Sequence, residues 1–301
     1  MVTNTLLNNL RVMFSTLFKK GLDGANKDWE KVATLTQSNN ASNVYSWLSK
    51  FPSMRQWIGD RVVKQMKESA YSIPNEKYEA TVEVSREDME DDNLGTYGPL
   101  MESMGQEAQD HINRLIFAAL KGGFSAPCYD GQYFFDTDHP VYPEVDGTGE
   151  AVTTSNIIAP ETTTEPAWFL LDTSRVIKPI IYQERTKPEL EAITTPSNEA
   201  VFNRDVYPYG IRARRGVGYS FWQFAVASKA ALTVENYEAA RAAMMSFKKD
   251  GGDPLGIRPT TLVVSSENEA AAKKIIKAIN LDNGQSNIHY KEVEIVCSSW
   301  L

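Results

Sequence analysis

The residues best suited to catalysis or metal binding are grouped in the segment Tyr129–Pro140. Three carboxylates and one imidazole occur there within ten positions, namely Asp130, Asp136, Asp138 and His139. Carboxylate oxygens and imidazole nitrogens are common ligands of divalent metal ions. Aspartate also forms turns by bonding its own backbone, and Asp-Gly and His-Pro are turn signals. We interpret the group as a structural turn and keep a soluble metal-dependent hydrolase as the alternative.

The other motifs that could indicate cofactor binding or catalysis are incomplete. Gly216-Val-Gly218 lacks the third glycine and the strand-to-helix context of a dinucleotide-binding loop. Ser220 fails the nucleophile-elbow pattern because Trp222 stands where the second glycine is required. We therefore predict that the protein is not an enzyme and binds no cofactor.

Hydrophobic periodicity predicts the elements that position these residues. Apolar residues at helical spacing predict a helix over residues 3–20 that stops at Gly21. Strict alternation predicts a strand over 78–84. Apolar residues at steps of three and four predict a long helix from Pro99 to Lys121, ended by a left-handed residue at Gly122-Gly123.

The second half of the chain mixes strands and helices. Residues 125–165 read as irregular, and the patterns after them predict strands at 168–172, 177–184, 219–227, 261–264 and 293–297, and helices over 234–248 and from the capping pattern at 266–269. The order lacks a strict strand-helix-strand alternation. The predicted fold class is α+β.

Bulk properties exclude several classes of protein. With 31 basic and 39 acidic residues among 301, the net charge is −8, which argues against nucleic-acid binding over the whole surface. Cys128 and Cys297 are far apart in sequence and give no disulfide framework, which fits a reducing compartment. No signal peptide is indicated, and no run approaches the roughly 18 apolar residues of a membrane span. We expect a soluble protein without a membrane partner.

Two neighbouring segments carry opposite charge. Residues 47–70 contain five basic and two acidic residues, whereas residues 76–92 contain eight acidic residues against Lys77 and Arg86. Such segments can close on each other or on the matching segment of an identical neighbour, which would give an interface its register. The alternative is two solvated faces.

Packing energetics favour contact with a surface for residues 47–70. Each large apolar side chain there would contribute roughly 1.5–3 kcal/mol if fully buried, whereas fixing the backbone costs about 1–2 kcal/mol per residue. In isolation the segment cannot bury enough apolar surface to offset the cost of fixing its backbone. It must therefore lie on its own subunit or on the next one. Tryptophan and arginine are also enriched at interfaces.

The predicted subunit-interface residues come from three places: the basic segment, the acidic run and a compact arginine cluster. They are Trp47, Phe51, Arg55, Trp57, Arg61, Glu87, Asp88, Glu90, Asp91, Asp92, Arg212, Arg214 and Arg215. Alternation places Arg212 and Arg214 on one face of a strand, where they would meet a neighbour's acids, a lumenal phosphate or only solvent. The run Glu90-Asp91-Asp92 is also consistent with an acidic entry to the following helix.

Several extended strings resemble one protein family, the major head subunits of Mu-like phages. They are Trp47-Leu-Ser-Lys-Phe-Pro52, Trp57-Ile-Gly-Asp-Arg61, Ser85-Arg-Glu-Asp-Met-Glu-Asp-Asp-Asn-Leu-Gly95, Cys128-Tyr-Asp-Gly-Gln132, Phe134-Phe-Asp136, Asp138-His-Pro-Val-Tyr-Pro143, Gln183-Glu-Arg185 and Lys187-Pro-Glu-Leu190. The resemblance implies an icosahedral capsid protein of the Hong Kong 97 type that assembles into hexamers and pentamers around double-stranded DNA, which it would enclose without sequence-specific binding.

The same resemblance implies a domain organisation. Residues 1–45 would be an N-terminal arm, 46–78 an extended loop and 79–165 the peripheral-domain core with its spine helix at 99–121. The arm and the loop would both be buried on neighbouring subunits. Residues 166–301 would supply the remaining peripheral and axial segments.

The resemblance further implies partners and a location. No long N-terminal extension is present to act as a scaffold, so a separate scaffolding protein is implied, together with a portal and a decoration protein. Assembly would take place in the host cytoplasm and the protein would end in the virion capsid. Some capsids of this type crosslink a loop lysine to an asparagine of another subunit, but the working expectation here is non-covalent assembly.

Overall fold

The computed structural model describes residues 4–49, 71–90, 93–145, 147–158, 165–195, 198–281 and 284–301. The helices in these ranges are α1 (Asn4–Gly24), α2 (Trp29–Val32), α3 (Arg86–Glu90), α4 (Tyr97–Gly122), α5 (Glu199–Arg204), α6 (Val234–Met245) and α7 (Glu269–Lys277). Short 3-10 helices cover Ser46–Ser49, Asn93–Thr96 and Trp222–Phe224. Within the described part of the chain, no helix is long and apolar enough to cross a membrane.

The strands of the described ranges form two four-stranded sheets and two small pairs. They are β1 (Ala33–Gln37), β2 (Ser42–Val44), β3 (Ser72–Pro74), β4 (Glu76–Ser85), β5 (His139–Val141), β6 (Val152–Thr154), β7 (Trp168–Leu171), β8 (Ile180–Ala192), β9 (Val206–Tyr219), β10 (Ala225–Ser228), β11 (Thr261–Val264) and β12 (Glu294–Cys297). The mixed content confirms the predicted α+β class. The pairs are β2-β3 and β5-β6.

The first sheet has the strand order β1-β8-β9-β4. Strands β8 and β9 pair antiparallel, β4 pairs antiparallel with β9 over its whole length, and β1 pairs parallel with β8. Helix α4 packs on β8 and β9. Its buried face is the apolar stripe of the sequence pattern: Met101, Met104, Ala108, Ile112, Ile116 and Leu120. The long helix and the alternating strand are both confirmed.

Helix α1 packs on α4 of the same subunit. Its apolar residues Leu7, Leu10, Phe14 and Phe18 are all buried. An arm that lies on neighbouring subunits would bury this face there, but in the structure the face is covered within its own subunit. That expectation is therefore wrong for α1, because amphipathic periodicity shows that a face needs a partner without showing which one.

The second sheet has the order β10-β7-β11-β12. Every residue of β7, β10 and β11 is buried. Helix α6 packs on β10, and α7 packs on β11 and β12. The hydrophobic core of this part continues without a break into the core beneath the C-terminal half of α4.

Several predicted element ends differ from the structure. Gly123 has φ −60°, so α4 does not end at a left-handed residue. Glycine is required there by close packing instead, because a Cβ would lie 2.7 Å from a ring carbon of Phe135. The strand expected at 219–227 is interrupted by the 3-10 turn Trp222–Phe224. Helix α7 is preceded by Asn268 at its N-cap without a side-chain capping bond, and α1 continues past Gly21.

Candidate subunit interface

The carboxylate and imidazole group of the sequence forms a hydrogen-bonded turn around Asp130. The Asp130 carboxylate lies 2.8 Å from Nδ1 of His139 and accepts hydrogen bonds from Sγ of Cys128 at 3.0 Å and from the backbone N–H of Gln132 at 3.1 Å. Burial alone would raise the pKa of Asp130, but the bonds from His139 and Cys128 outweigh it and hold that pKa below its usual value. These three partners of the carboxylate all belong to its own turn.

The remaining carboxylates do not converge on this point. Asp136 accepts the backbone N–H groups of Tyr133 at 3.0 Å and Thr137 at 2.7 Å. Among the described residues, the group close enough to hold a metal ion is Cys128, Asp130 and His139, without Asp136 or Asp138. Burial raises the pKa of the Cys128 thiol, so the sulfur keeps the proton that it donates to Asp130. The arrangement supports the structural-turn interpretation and adds Cys128 to the group.

His139 is fixed by stacking as well. Its ring lies parallel to that of Trp222, with 4.1 Å between the ring centroids, and is fully buried. This contact holds the turn against the 3-10 helix that leads into β10.

The base of the predicted extended loop is a closed structure. The backbone N–H of Tyr45 donates to the carbonyl of Tyr71 at 2.8 Å, and β2 pairs with β3 just outside this bond. Tyr45 and Tyr71 therefore lie side by side, at the two ends of the segment between them. Phe51, Arg55, Trp57 and Arg61 lie between these positions, outside the described residues.

The two glycines of Gly216-Val-Gly218 make room for this base. A Cβ at Gly216 would lie 2.1 Å from the backbone oxygen of Pro74, and one at Gly218 would lie 2.4 Å from a side-chain carbon of Ile73. The motif therefore allows β3 to cross closely over β9, which is the close backbone approach that glycine permits.

Trp47 is the one candidate of the basic segment whose side chain the structure describes. It lies in the 3-10 helix Ser46–Ser49 with 41% of its surface exposed. Its ring meets Tyr45 and Phe221 at centroid distances of 6.0 and 5.9 Å. One side of the indole is thus anchored on the subunit, and the other is available at the root of the loop.

The acidic candidates precede α4. Glu87 is exposed on α3, and Asp88 accepts a hydrogen bond from the hydroxyl of Tyr97 in the first turn of α4. This hydrogen bond raises the pKa of Tyr97. The side chain of Glu90, and Asp91 and Asp92 entirely, lie outside the described residues.

The arginine cluster on β9 is divided by strand alternation, as predicted. Arg212 is exposed and Arg214 half-buried, whereas only 2% of Arg215 is exposed and its guanidinium donates to the carbonyl of Ala108 at 3.2 Å. Arg215 therefore belongs to the interior beneath α4. Arg212 and Arg214 remain interface predictions.

The acidic strand faces this basic strand within one subunit. In the β4-β9 register, Glu79 is opposite Arg212, and Glu83 forms an ion pair with Arg204 at 2.7 Å. The charge pattern of the sequence paired the acidic strand with the basic loop and did not predict these partners within the same subunit.

Apolar side chains that the sequence analysis did not select are also exposed. Phe202 on α5 is 82% exposed, and Ile193 at the end of β8 is 45% exposed. The neighbouring Val201 is buried against α1. No periodic signal in this short segment distinguishes the exposed residue from the buried one.

Comparison with known proteins places these features in a family. The sequence model described as "Mu-like prophage major head subunit gpT" matches residues 7–301. The chain is 44% identical over 287 residues to the "Major capsid protein" of Escherichia phage Mu, covering 95% of this chain and 94% of that protein. It is 46% identical over 278 residues to the "Mu-like prophage FluMu major head subunit" of Haemophilus influenzae, covering 92% and 90%.

Solved structures agree over the full length. A chain of the procapsid of bacteriophage JBD30 superposes with a TM-score of 0.90 at 48% identity, covering 100% of both chains. A chain of the JBD30 capsid superposes with a TM-score of 0.78 at 36% identity, covering 100% of this chain and 99% of that one. The fold is the Hong Kong 97-type capsid fold, and the hydrolase alternative is not supported, because these relatives are structural proteins of phage heads. The chain belongs to the family of Mu-like prophage major head subunits and is a major capsid protein of the virion.

Proposed function

We propose that the protein assembles with itself into hexamers and pentamers of an icosahedral head that encloses double-stranded DNA without reading its sequence. The observation that carries this proposal is the full-length superposition on a procapsid chain, with a TM-score of 0.90. The net charge of −8 fits enclosure by a closed shell better than binding of phosphates over the whole surface.

The domain assignment follows the same proposal. Residues 1–45 form the arm, 46–78 the extended loop, 79–165 the peripheral core with the spine helix at 99–121, and 166–301 the remaining peripheral and axial segments. The hydrogen bond between Tyr45 and Tyr71 supports the loop assignment, because it brings together the two ends of the intervening segment, as a projecting loop requires.

The extended loop is proposed to lie on the neighbouring subunit. Residues 47–70 are basic, whereas Glu76, Glu79, Glu83 and Glu87 are exposed along β4 and α3. Because Glu79 and Glu83 already face Arg212 and Arg204, electrostatics would contribute chiefly to register and orientation. Burial of Trp47, Phe51 and Trp57 would supply most of the binding free energy.

Replacing loop residues tests this arrangement. We expect Trp57→Ala and Arg61→Ala to reduce the yield of closed particles by about tenfold or more, while the urea midpoint of the free subunit changes little, because their contacts form only between subunits. Arg258→Ala, an exposed position in the C-terminal third, is the control for loss of an arginine. Particles would be counted by negative-stain electron microscopy after co-expression with the scaffolding protein. Equal damage to folding and assembly would place Trp57 and Arg61 in the subunit core.

The other partners of the proposal are a separate scaffolding protein, a portal and a decoration protein. In JBD30, a capsid chain with a TM-score of 0.76 to this one comes from a capsid decorated with minor capsid protein trimers. Expression of the chain with and without each candidate partner, followed by particle sizing, distinguishes partners that build the shell from those that bind it afterwards.

A further inference from the structure

Three side chains of the turn around Asp130 bring a sulfur, an oxygen and a nitrogen ligand together. Sγ of Cys128 lies 3.0 Å from Oδ1 of Asp130, and Nδ1 of His139 lies 2.8 Å from Oδ2 of the same carboxylate. One ligand atom from each residue lies within 4.8 Å of the other two. Cys128 and His139 are buried, and Asp130 is half-buried. Both the donor atoms and the enclosure are those of a structural metal site.

The spacing of these atoms is close to what a zinc ion requires. With Zn–S near 2.3 Å and Zn–N and Zn–O near 2.0 Å, a tetrahedral site holds neighbouring ligand atoms about 3.3–3.5 Å apart. The separations of 3.0 and 2.8 Å at Asp130 are shorter than this by only about 0.5 Å. Hydrogen bonds draw the atoms closer than a cation between them would, so a small adjustment of the side chains makes the room.

The charges of this set add to zero around a divalent cation. A thiolate and a carboxylate carry one negative charge each, and imidazole binds a metal as a neutral ring. Buried charge is costly unless it is compensated, so a neutral complex suits these buried ligands. Thiolate and imidazole also select zinc over magnesium and calcium, which prefer oxygen ligands. We propose that Cys128, Asp130 and His139 bind one zinc ion that fastens the turn.

Zinc replaces the hydrogens that link the turn in its metal-free form. The thiol of Cys128 loses its proton to solvent when the sulfur coordinates, because a metal-bound thiol is deprotonated. The imidazole of His139 coordinates through Nδ1 and carries its hydrogen on Nε2. The carbonyl oxygen of Tyr133 lies 4.0 Å from the same sulfur and is the candidate fourth ligand.

This site differs from the hydrolase alternative in its members and in its role. Asp136 accepts two backbone N–H groups and is not among the ligands. The turn connects distant parts of the subunit, since His139 stacks on Trp222 and the N–H of Phe135 donates to the carbonyl of Gly123 at the end of α4. The metal therefore stabilises the junction between α4 and the second sheet. The inference concerns the free subunit, so its test is independent of the assembly proposed above.

Cobalt(II) binding to the Cys297→Ser subunit tests the site. The chain has two cysteines, so Cys128 is then its only thiol. In reducing buffer we expect cobalt(II) to produce a thiolate-to-metal charge-transfer band together with the strong visible bands of a four-coordinate ion, and added zinc to abolish both. Absence of the charge-transfer band would overturn the proposal, and this result does not require any variant of the turn to fold.

Cys128→Ser is the diagnostic variant, because a hydroxyl still donates to Asp130 but is a poor zinc ligand. We expect the wild type and Cys297→Ser to retain about one zinc per chain after gel filtration and Cys128→Ser to bind at least about tenfold more weakly, since even changes outside the ligand shell cost that much. A chelator should lower the thermal midpoint of the wild type but not that of Cys128→Ser. Equal zinc retention by all three proteins would show adventitious binding only and overturn the proposal.

Discussion

His111 lies on α4 near the buried guanidinium of Arg215, and these surroundings set its protonation state. The His111 ring meets the Tyr78 ring at 4.4 Å, and burial, together with the charges of Arg215 and Arg114, lowers the pKa of His111 to about 4. The ring is therefore neutral in the folded subunit at neutral pH, because a protonated ring would be repelled by the nearby guanidinium of Arg215.

This shift makes stability depend on pH in one direction. Between pH 6.5 and 4 the unfolded chain binds a proton at His111 and the folded chain does not, so the free energy of unfolding falls as the pH falls. We expect His111→Gln to remove about 1 kcal/mol of the stability lost between pH 7 and pH 5, an estimate reduced for partial solvent exposure. Urea unfolding of both proteins at each pH measures the difference, in which the contributions of the carboxylates cancel. Identical pH dependence in the two proteins would contradict the assignment.

For the turn around Asp130, the sequence predicted the turn itself but not the side-chain contacts within it. Asp-Gly and His-Pro identify a turn from local preferences alone. That the carboxylate would accept bonds from Cys128 and His139, and that Trp222 would cover the imidazole, depends on how the turn folds back on distant residues.

The contact between helices α1 and α4 is set by two glycines. A Cβ at Gly105 of α4 would lie 2.0 Å from the backbone oxygen of Phe18, and one at Gly21 of α1 would lie 1.9 Å from that of Glu102. Backbone meets backbone at both positions, so no side chain can move aside. The glycines fix the distance and register of the two helices.

Gly105→Ala is expected to destabilise the subunit by about 2 kcal/mol or more, because overpacking outweighs the gain in helix propensity. Gly98→Ala, in the same helix, is the matched control. Its Cβ would lie 3.3 Å from a flexible methyl of Leu17, so we expect little change or a small gain. Thermal and urea unfolding compare the two variants. Equal effects would show that the helices do not cross as closely as described.

Periodicity alone predicted that α1 and α4 are amphipathic helices. It did not predict that they cover each other, because an apolar stripe has the same pattern whichever surface lies on it. The glycines at the crossing carried a signal of close approach, but a glycine in a helix has that meaning only once its partner is known.

For the whole molecule, assembly is expected to depend on ionic strength. If the basic loop of one subunit meets acidic residues of the next, the rate of early particle formation should fall as salt rises from about 0.02 to 0.3 M, since the screening length shortens over this range. Light scattering of purified subunits with scaffolding protein follows the rate. Assembly that is indifferent to salt would leave apolar burial as the main source of association.

The amino-acid sequence by itself determined the α+β class, the long helix, the alternating strand and, through its specific strings, the family. These features follow from local patterns and can be predicted without knowledge of the tertiary contacts. Only the tertiary structure decided that β4 faces the arginines of β9, that Arg215 is interior and that Tyr45 pairs with Tyr71. The physical reason is that these pairings join residues far apart in the chain, where topology rather than local preference selects the partner.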